Sequence, residues 1–140
     1  MSGGDAADVE GLVLAFDFGL KHIGVASGQT ITRTATALTT LSARDGSPDW
    51  DSVRSLVKEW RPIRLIVGLP LNMDDTESEM SERARTFARQ LAKETSVPVE
   101  MADERLTSRA AAQTDSGSRS DQSHAAAAAL IAETWLGERG

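Results

Sequence analysis

The hydrophobic positions of this chain fall into short runs and helical stripes that alternate along its length. Five segments have the composition of strands in a buried sheet, at residues 12–16, 23–27, 30–38, 63–67 and 97–101. Gly28-Gln29 is predicted to be the tight turn between the second and third strands. Because the first three strands follow one another closely, we expect them to form an antiparallel meander.

Apolar residues at helical spacing predict helices between and after the later strands. Ser47-Pro48 is a start signal for the first of them. Thr76 and Glu79 form a capping box for a long amphipathic helix. An Ala-rich helix is expected at about residues 121–136, and its small side chains would let its backbone approach the sheet closely.

This order of elements predicts an α/β fold with a mixed sheet of five strands. One domain is expected over residues 11–140, after a loose polar tail at residues 1–10 that lacks the basic end and apolar stretch of a signal peptide. No apolar run approaches the roughly 20 residues that a membrane helix needs. We therefore expect a cytoplasmic protein with no membrane partner.

Charge and residue types narrow the chemistry. The chain has 15 Lys and Arg residues against 21 Asp and Glu residues, which gives a net charge of −6. Such an acidic chain is not expected to coat nucleic acid through its overall field, although bound divalent ions would reverse the sign of that field locally. The absence of cysteine excludes disulfides, thiolate zinc sites and a cysteine nucleophile.

Three carboxylates are candidates for a shared site: Asp17, Glu104 and Asp121. If the first strand is central and the fifth is parallel to it, Asp17 and Glu104 emerge at the same edge of the sheet. Clustered carboxylates either take up protons or bind cations, and a ligand set of oxygen atoms selects Mg²⁺ or Mn²⁺. Each residue taken alone is more often a cap or turn residue.

A resemblance to a known family sharpens this hypothesis. It rests on residues 14–19 (LAFDFG), Lys21 with residues 23–26 (IGVA), residues 66–74 (IVGLPLNMD), residues 103–107 (DERLT), and Asp121 with residues 125–130 (AAAAAL). In this order, the segments resemble the YqgF family, whose members are similar to Holliday-junction resolvases of the RNase H-like fold. The family is described as pre-16S rRNA nucleases. The resemblance implies an RNase H-like sheet with helices on both faces.

The resemblance also implies a metal site and its ligands. Asp17, Glu104 and Asp121 would be the catalytic triad that binds Mg²⁺ or Mn²⁺. Two such ions would activate a water molecule and stabilise the leaving oxygen during phosphodiester hydrolysis.

Five further residues match or adjoin the family motifs and are assigned to substrate binding. Asn72 and Asp74 would position substrate, or only form a turn. Lys21 and Arg105 would contact phosphate, or form ion pairs with neighbouring carboxylates. Arg119 is what remains of the basic residues that usually precede the last Asp of the family.

This sequence departs from the family pattern at three places, one of which is Asp75, where family members often have Gly. His22 stands where family members often have Arg, and the segment at residues 114–120 belongs to a connection shorter than expected for the family. His124, three residues after Asp121, is either an accessory ligand or proton shuttle, or a surface or packed histidine, and the second interpretation is the more common one. The short connection bears on the choice and affinity of substrate more than on metal binding.

The main functional prediction is a metal-dependent nuclease that processes the 5′ end of precursor 16S rRNA in ribosome biogenesis. A second hypothesis, cleavage of four-way DNA junctions, shares the chemistry and requires a homodimer with two sites. A third is a non-catalytic module that binds a partner in ribosome assembly or transcription. The expected ligand is nucleic acid, either structured RNA or branched DNA, in the first two cases.

Overall fold

One mixed sheet organises the described part of the molecule. The computed structural model describes residues 11–69, 79–103 and 121–139. The strands are β1 (Leu12–Asp17), β2 (His22–Gln29), β3 (Thr34–Arg44), β4 (Ser47–Pro48), β5 (Arg64–Leu69) and β6 (Val99–Asp103). The helices within these residues are α1 (Trp50–Trp60), α2 (Glu79–Thr95) and α3 (Asp121–Arg139). The predicted α/β class is confirmed.

The strand β1 lies inside the sheet, whose order is β4-β3-β2-β1-β5-β6. It pairs with β2 in antiparallel and with β5 in parallel orientation, and β5 pairs with β6 in parallel. The carboxyl ends of β1, β5 and β6 therefore meet at one edge of the sheet, which we call the carboxyl edge. In open α/β sheets this is the edge at which ligands bind.

Alternating residues of the strands bury two separate cores. On one face, Leu14 and Phe16 pack with residues of α1 and α2, including the fully buried Leu91. On the other face, Val13 and Ala15 pack with residues of α3. We call these the α1/α2 face and the α3 face. Since successive residues of a strand point to opposite faces, each apolar run in β1 serves both cores, as the continuous hydrophobic pattern predicted.

The helices of the α1/α2 face follow directly from their sequences. The side chain of Asp49 caps α1 by accepting a hydrogen bond from the backbone N–H of Asp51, at 3.2 Å. The helix ends at Trp60, and its capping residue Arg61, with a left-handed backbone (φ 49°), precedes Pro62. The predicted apolar stripe of α2 is buried at Ala84, Phe87, Ala88 and Leu91. Thr76, the other half of the predicted capping box, lies outside the described residues.

Four predictions about local structure were wrong. Ser47-Pro48 forms β4, which pairs with Ala43 and Arg44, and the helix begins at Trp50. The sheet therefore has six strands and not five. The sixth, β4, was not predicted because a strand of two residues is too short to give a hydrophobic pattern. Gly28-Gln29 lies inside β2, and the turn to β3 falls at residues 30–33. As a result, β3 spans Thr34–Arg44 and not residues 30–38.

In the ranges that the structure describes, no helix is both long enough and apolar enough to cross a membrane.

Candidate active site

Asp17 occupies the last position of β1 at the carboxyl edge. Its neighbours at Val13 and Ala15 face α3, so the two-residue period of the strand directs the half-buried Asp17 toward the same face. In the sheet, Asp17 lies opposite Gly24 of β2. The site is therefore built where the end of β1, the start of β2 and the helix α3 meet.

Gly24 allows α3 to approach the sheet at the level of Asp17. A Cβ atom on Gly24 would lie 1.9 Å from the carbonyl oxygen of His124 and 2.8 Å from the backbone nitrogen of Ala125. Only glycine permits such an approach of two backbones. A second close contact between α3 and β2 lies at Gly28, where a Cβ atom would lie 3.2 Å from the side chain of Leu136.

These two contacts fix the direction of the helix. His124 lies over Gly24 and Leu136 lies over Gly28, so α3 runs parallel to β2 and begins at the carboxyl edge. Asp121, the first residue of α3, is three residues before His124, which places its backbone about 4.5 Å farther along the helix axis. The start of α3 thus stands beside the end of β1.

A histidine pair lies at this junction. The imidazole rings of His22 and His124 are stacked, with centroids 5.0 Å apart and planes inclined by 25°. Both side chains are half-buried. Sequence analysis favoured a surface or packed histidine at position 124 over an accessory ligand or proton shuttle, and this choice stays a prediction. The stacking on His22 was missed because the two residues are 102 positions apart.

The loop between β1 and β2 is held by the turn that precedes β4. The carbonyl of Leu20 accepts a hydrogen bond from the N–H of Gly46, at 2.9 Å, and the carbonyl of Lys21 accepts one from Ala43, at 2.8 Å. A Cβ on Gly19 would lie 2.4 Å from the carbonyl oxygen of His22, so the loop is too tight for any side chain there. Lys21 is exposed on this fixed loop, four residues after Asp17.

The structure describes only part of the predicted residue set. Asp17 and Lys21 lie on the same edge of the sheet, and the backbone of Asp121 begins α3. The remaining predicted residues are outside the described ranges: Asn72, Asp74, Glu104, Arg105 and Arg119. Among the side chains that the structure describes, no group of three or more His, Asp or Glu residues is arranged to hold a metal ion.

Comparison with known proteins identifies the family. The family model for RuvX, described as a Holliday junction resolvase, matches residues 11–138. The chain belongs to the RuvX family. The match covers every strand and nearly all of every helix described above, which confirms the resemblance found in the sequence motifs.

Two relatives of this RuvX family chain are close to it over most of their length. A protein of Azotobacter vinelandii named "Putative pre-16S rRNA nuclease" is 52% identical over 134 residues, which cover 91% of this chain and 94% of the relative. A protein of the same name from Saccharophagus degradans is 49% identical, and the match covers 88% of this chain and 91% of the relative.

Solved structures with little sequence similarity share the fold. The Thermus thermophilus RuvC in complex with Holliday junction substrate superposes with a TM-score of 0.58 at 18% identity, over 92% of this chain and 95% of that one. The fowlpox virus Holliday junction resolvase gives a TM-score of 0.52 at 10% identity, over 91% of this chain and 98% of that one. The expected resolvase-like sheet with helices on both faces is therefore confirmed for this RuvX family member.

Proposed function

We propose that this protein is a metal-dependent nuclease that processes the 5′ end of precursor 16S rRNA. The observation that carries the proposal is the position of Asp17, at the carboxyl end of an interior strand and on the face where α3 begins. Relatives about half identical to this chain are named for that substrate. A carboxylate held at this edge is suited to phosphodiester hydrolysis when a second and third carboxylate join it.

The described strands favour Glu104 as the second carboxylate. In β6, Glu100 accepts a hydrogen bond from the indole N–H of Trp135 in α3, at 2.9 Å, and Ala102 packs against the α3 core. If the two-residue period of β6 extends by one residue, position 104 follows on the same face as Asp17. The strand β5 separates β1 from β6, so the strands β1 and β6 run about 10 Å apart, a span that carboxylate side chains and ions can close.

Asp121 is proposed as the third carboxylate, since it opens the helix that packs at the level of Asp17. A set of three carboxylates fits Mg²⁺ or Mn²⁺, which prefer oxygen ligands. A bound divalent ion would supply an activated water and charge stabilisation for the leaving oxygen. Asp17 would hold and orient that ion from a rigid strand, and the close packing around Gly24 would keep the start of α3 in place.

Basic and polar residues around the triad are proposed to bind the substrate. Lys21, exposed on the pinned loop after β1, can approach a phosphate that lies at Asp17. Arg105, next to Glu104, and Arg119, two residues before Asp121, would add positive charge. Asn72 and Asp74 would order the rim of the site after β5. Lys21, Arg105 and Arg119 would thereby concentrate positive charge near the carboxyl edge of an otherwise acidic protein.

A second candidate is hydrolysis of four-way DNA junctions. The description of the RuvX family as a Holliday junction resolvase favours it, and the chemistry at Asp17 would be unchanged. Symmetric cleavage of a junction would require a homodimer with two sites. The two candidates therefore differ in substrate and in oligomeric state and not in the residues that perform hydrolysis.

The deciding experiment compares wild type with Asp17→Asn on precursor 16S rRNA and on four-way DNA, with Mg²⁺ or Mn²⁺. Loss of a metal-binding carboxylate should reduce the cleavage rate by about 100-fold or more. Asp51→Asn is the matched control, because Asp51 is an exposed carboxylate in the first turn of α1 and its replacement should leave cleavage unchanged.

Circular dichroism of each variant verifies the fold. Undiminished cleavage by a folded Asp17→Asn protein would reject the proposed site. Absence of cleavage by wild type on both substrates, together with retained binding to a partner protein by Asp17→Asn, would favour the non-catalytic module.

A further inference from the structure

A cleft of about 280 Å³ opens on the α1/α2 face, beside the loop that follows Asp17. Three aromatic side chains line it, Phe18, Trp50 and Phe87, together with polar side chains that include Asp45, Arg83 and Gln90. We call it the α2 cleft. None of the roles proposed above uses these residues.

The aromatic side chains form a layered wall. The rings of Trp50 and Phe87 are stacked with centroids 5.6 Å apart and planes inclined by 29°, and the ring of Phe18 lies 5.3 Å from that of Phe87. Phe18 and Phe87 are 7% and 3% exposed, so they form the floor, and the half-buried Trp50 presents the accessible ring. A flat aromatic ligand would extend this stack.

Hydrogen-bonding and charged groups surround the aromatic wall. Arg83 Nη1 lies 3.0 Å from Asp45 Oδ1, and both side chains are exposed. The side-chain amide N–H of Gln90 donates a hydrogen bond to the carboxylate of Glu94, at 2.8 Å. Beyond the cleft, Arg89 adds a second guanidinium on α2, near Thr86. A planar ring bordered by an amide and a carboxylate, with cations close by, matches a nucleobase that carries a phosphate.

The cleft is next to Asp17 across the edge of the sheet. Phe18 follows Asp17 directly, and it packs in the α1/α2 core with Leu14 and Phe16, whereas Asp17 belongs to the α3 side of the strand. Their Cα atoms are about 3.8 Å apart. A nucleic-acid strand that crosses the carboxyl edge can therefore place one phosphate at Asp17 and a neighbouring base in the cleft.

We propose that the α2 cleft binds an unpaired base of the same nucleic-acid strand that is cut at Asp17. This inference rests on the proposed nuclease function and specifies its substrate class: the strand must have an unpaired nucleotide beside the scissile phosphate. A base inside a continuous duplex cannot enter, because its faces are stacked and its edge is paired. The occupant is part of a strand, and the phosphates on either side contribute to its retention.

The test measures base stacking without cleavage. Asp17→Asn protein is titrated into a single-stranded RNA that carries 2-aminopurine, whose fluorescence is quenched when it stacks on an aromatic ring. Quenching is expected with single-stranded RNA. Trp50→Leu in the same background should weaken the RNA affinity measured from this quenching about tenfold. Trp60→Leu, on the same helix but outside the cleft, should leave it unchanged.

Further arms keep the result decisive. If Trp50→Leu fails to fold, Gln90→Leu removes the amide at the rim, and the same weakening is expected. Equal binding by the cleft variants and the Asp17→Asn parent overturns the proposal. So does equal affinity for a fully paired duplex, or equal affinity for free adenosine monophosphate, since the occupant must belong to a strand.

A cleavage assay on wild type separates this inference from the proposed function. Cleavage with no effect of Trp50→Leu on binding or on the rate rejects only the cleft. Quenching that depends on Trp50, in a protein that cuts neither precursor 16S rRNA nor four-way DNA, rejects the nuclease and, with it, the link of the cleft to a scissile phosphate.

Discussion

The two faces of the sheet hold their helices by different means. On the α1/α2 face, large side chains such as Phe16, Leu91 and Phe87 fill the space between sheet and helices. On the α3 face, Gly24 lets α3 come so close to β2 that backbone atoms approach each other, and Gly28 leaves room for the side chains of Val13 and Leu136. Side-chain volume determines the spacing on the first face, and the main chain determines it on the second.

This difference has a functional meaning. The proposed catalytic carboxylate Asp17 lies on the α3 face, where the helix has little freedom to shift, whereas the α2 cleft lies on the face where side chains determine the shape. We therefore expect the effect of a substitution on the α3 face to depend on the space around the backbone. On the α1/α2 face, we expect it to depend on the volume of the new side chain.

The largest effect is expected from Gly24→Ala. The added methyl group would lie 1.9 Å from the carbonyl oxygen of His124, so α3 or β2 must move. We expect the free energy of unfolding to fall by about 4 kcal/mol, and cleavage to be lost in whatever protein still folds. Denaturation in urea measures the first effect. Gly28→Ala is the matched control, with an expected loss of about 1 kcal/mol, because its nearest neighbours are side-chain atoms of Val13 and Leu136. Equal losses for the two variants would contradict the comparison.

Leu91→Ala tests the opposite face. Leu91 is fully buried between α2 and the sheet, so its truncation leaves a cavity and should reduce the free energy of unfolding by about 3 kcal/mol. Leu91→Met conserves the volume and should cost less than about 1.5 kcal/mol. If both replacements were equally harmful, the spacing on this face would depend on shape more than on volume.

Trp135→Phe addresses the polar link between α3 and β6. The indole N–H of Trp135 donates to Glu100, which also forms an ion pair with Arg64. Phenylalanine keeps most of the apolar contact and removes the donor, so we expect a loss of about 1 kcal/mol in thermal or urea denaturation. A loss several times larger would mean that the α3 face depends on this hydrogen bond as well as on close backbone packing.

Gly137→Ala provides the smallest effect and the opposite sign. A Cβ at this position of α3 would have no neighbour within 4 Å, and glycine inside a helix lowers its stability. The substitution should raise the free energy of unfolding by about 0.7 kcal/mol. A destabilised Gly137→Ala protein would show that glycine is required in α3 for a reason other than its contact with the sheet.

Much of the fold could be predicted from the hydrophobic pattern. The interior strands β1 and β5 are buried on both faces, so they appear in the sequence as continuous apolar runs, and α2 has a clear stripe. The errors fell where tertiary contacts decide. Gly28-Gln29 is typical of a turn in sequence, but Gly28 lies in β2, where α3 packs closely against it. Pro48 is typical of a helix start, but it pairs with Ala43 in the sheet.

Less of the candidate site than of the fold could be predicted from the sequence. The position of Asp17 at the end of a buried strand follows from the pattern alone, whereas its edge of the sheet follows only if β1 is taken as interior and β6 as parallel to it. The proximity of α3 could not be predicted, because it depends on Gly24, whose role becomes visible only when the helix is in place. The assignments of Glu104 and Asp121 come from the family resemblance and stay predictions.

The close approach at Gly24 bears on how the proposed site would be prepared for catalysis. Two backbones in contact have no rotamers to exchange, so the end of β1 and the start of α3 keep one relative position as long as the protein is folded. The conformational entropy lost in bringing these two segments together is therefore lost once, during folding, and need not be supplied again by substrate binding at each turnover.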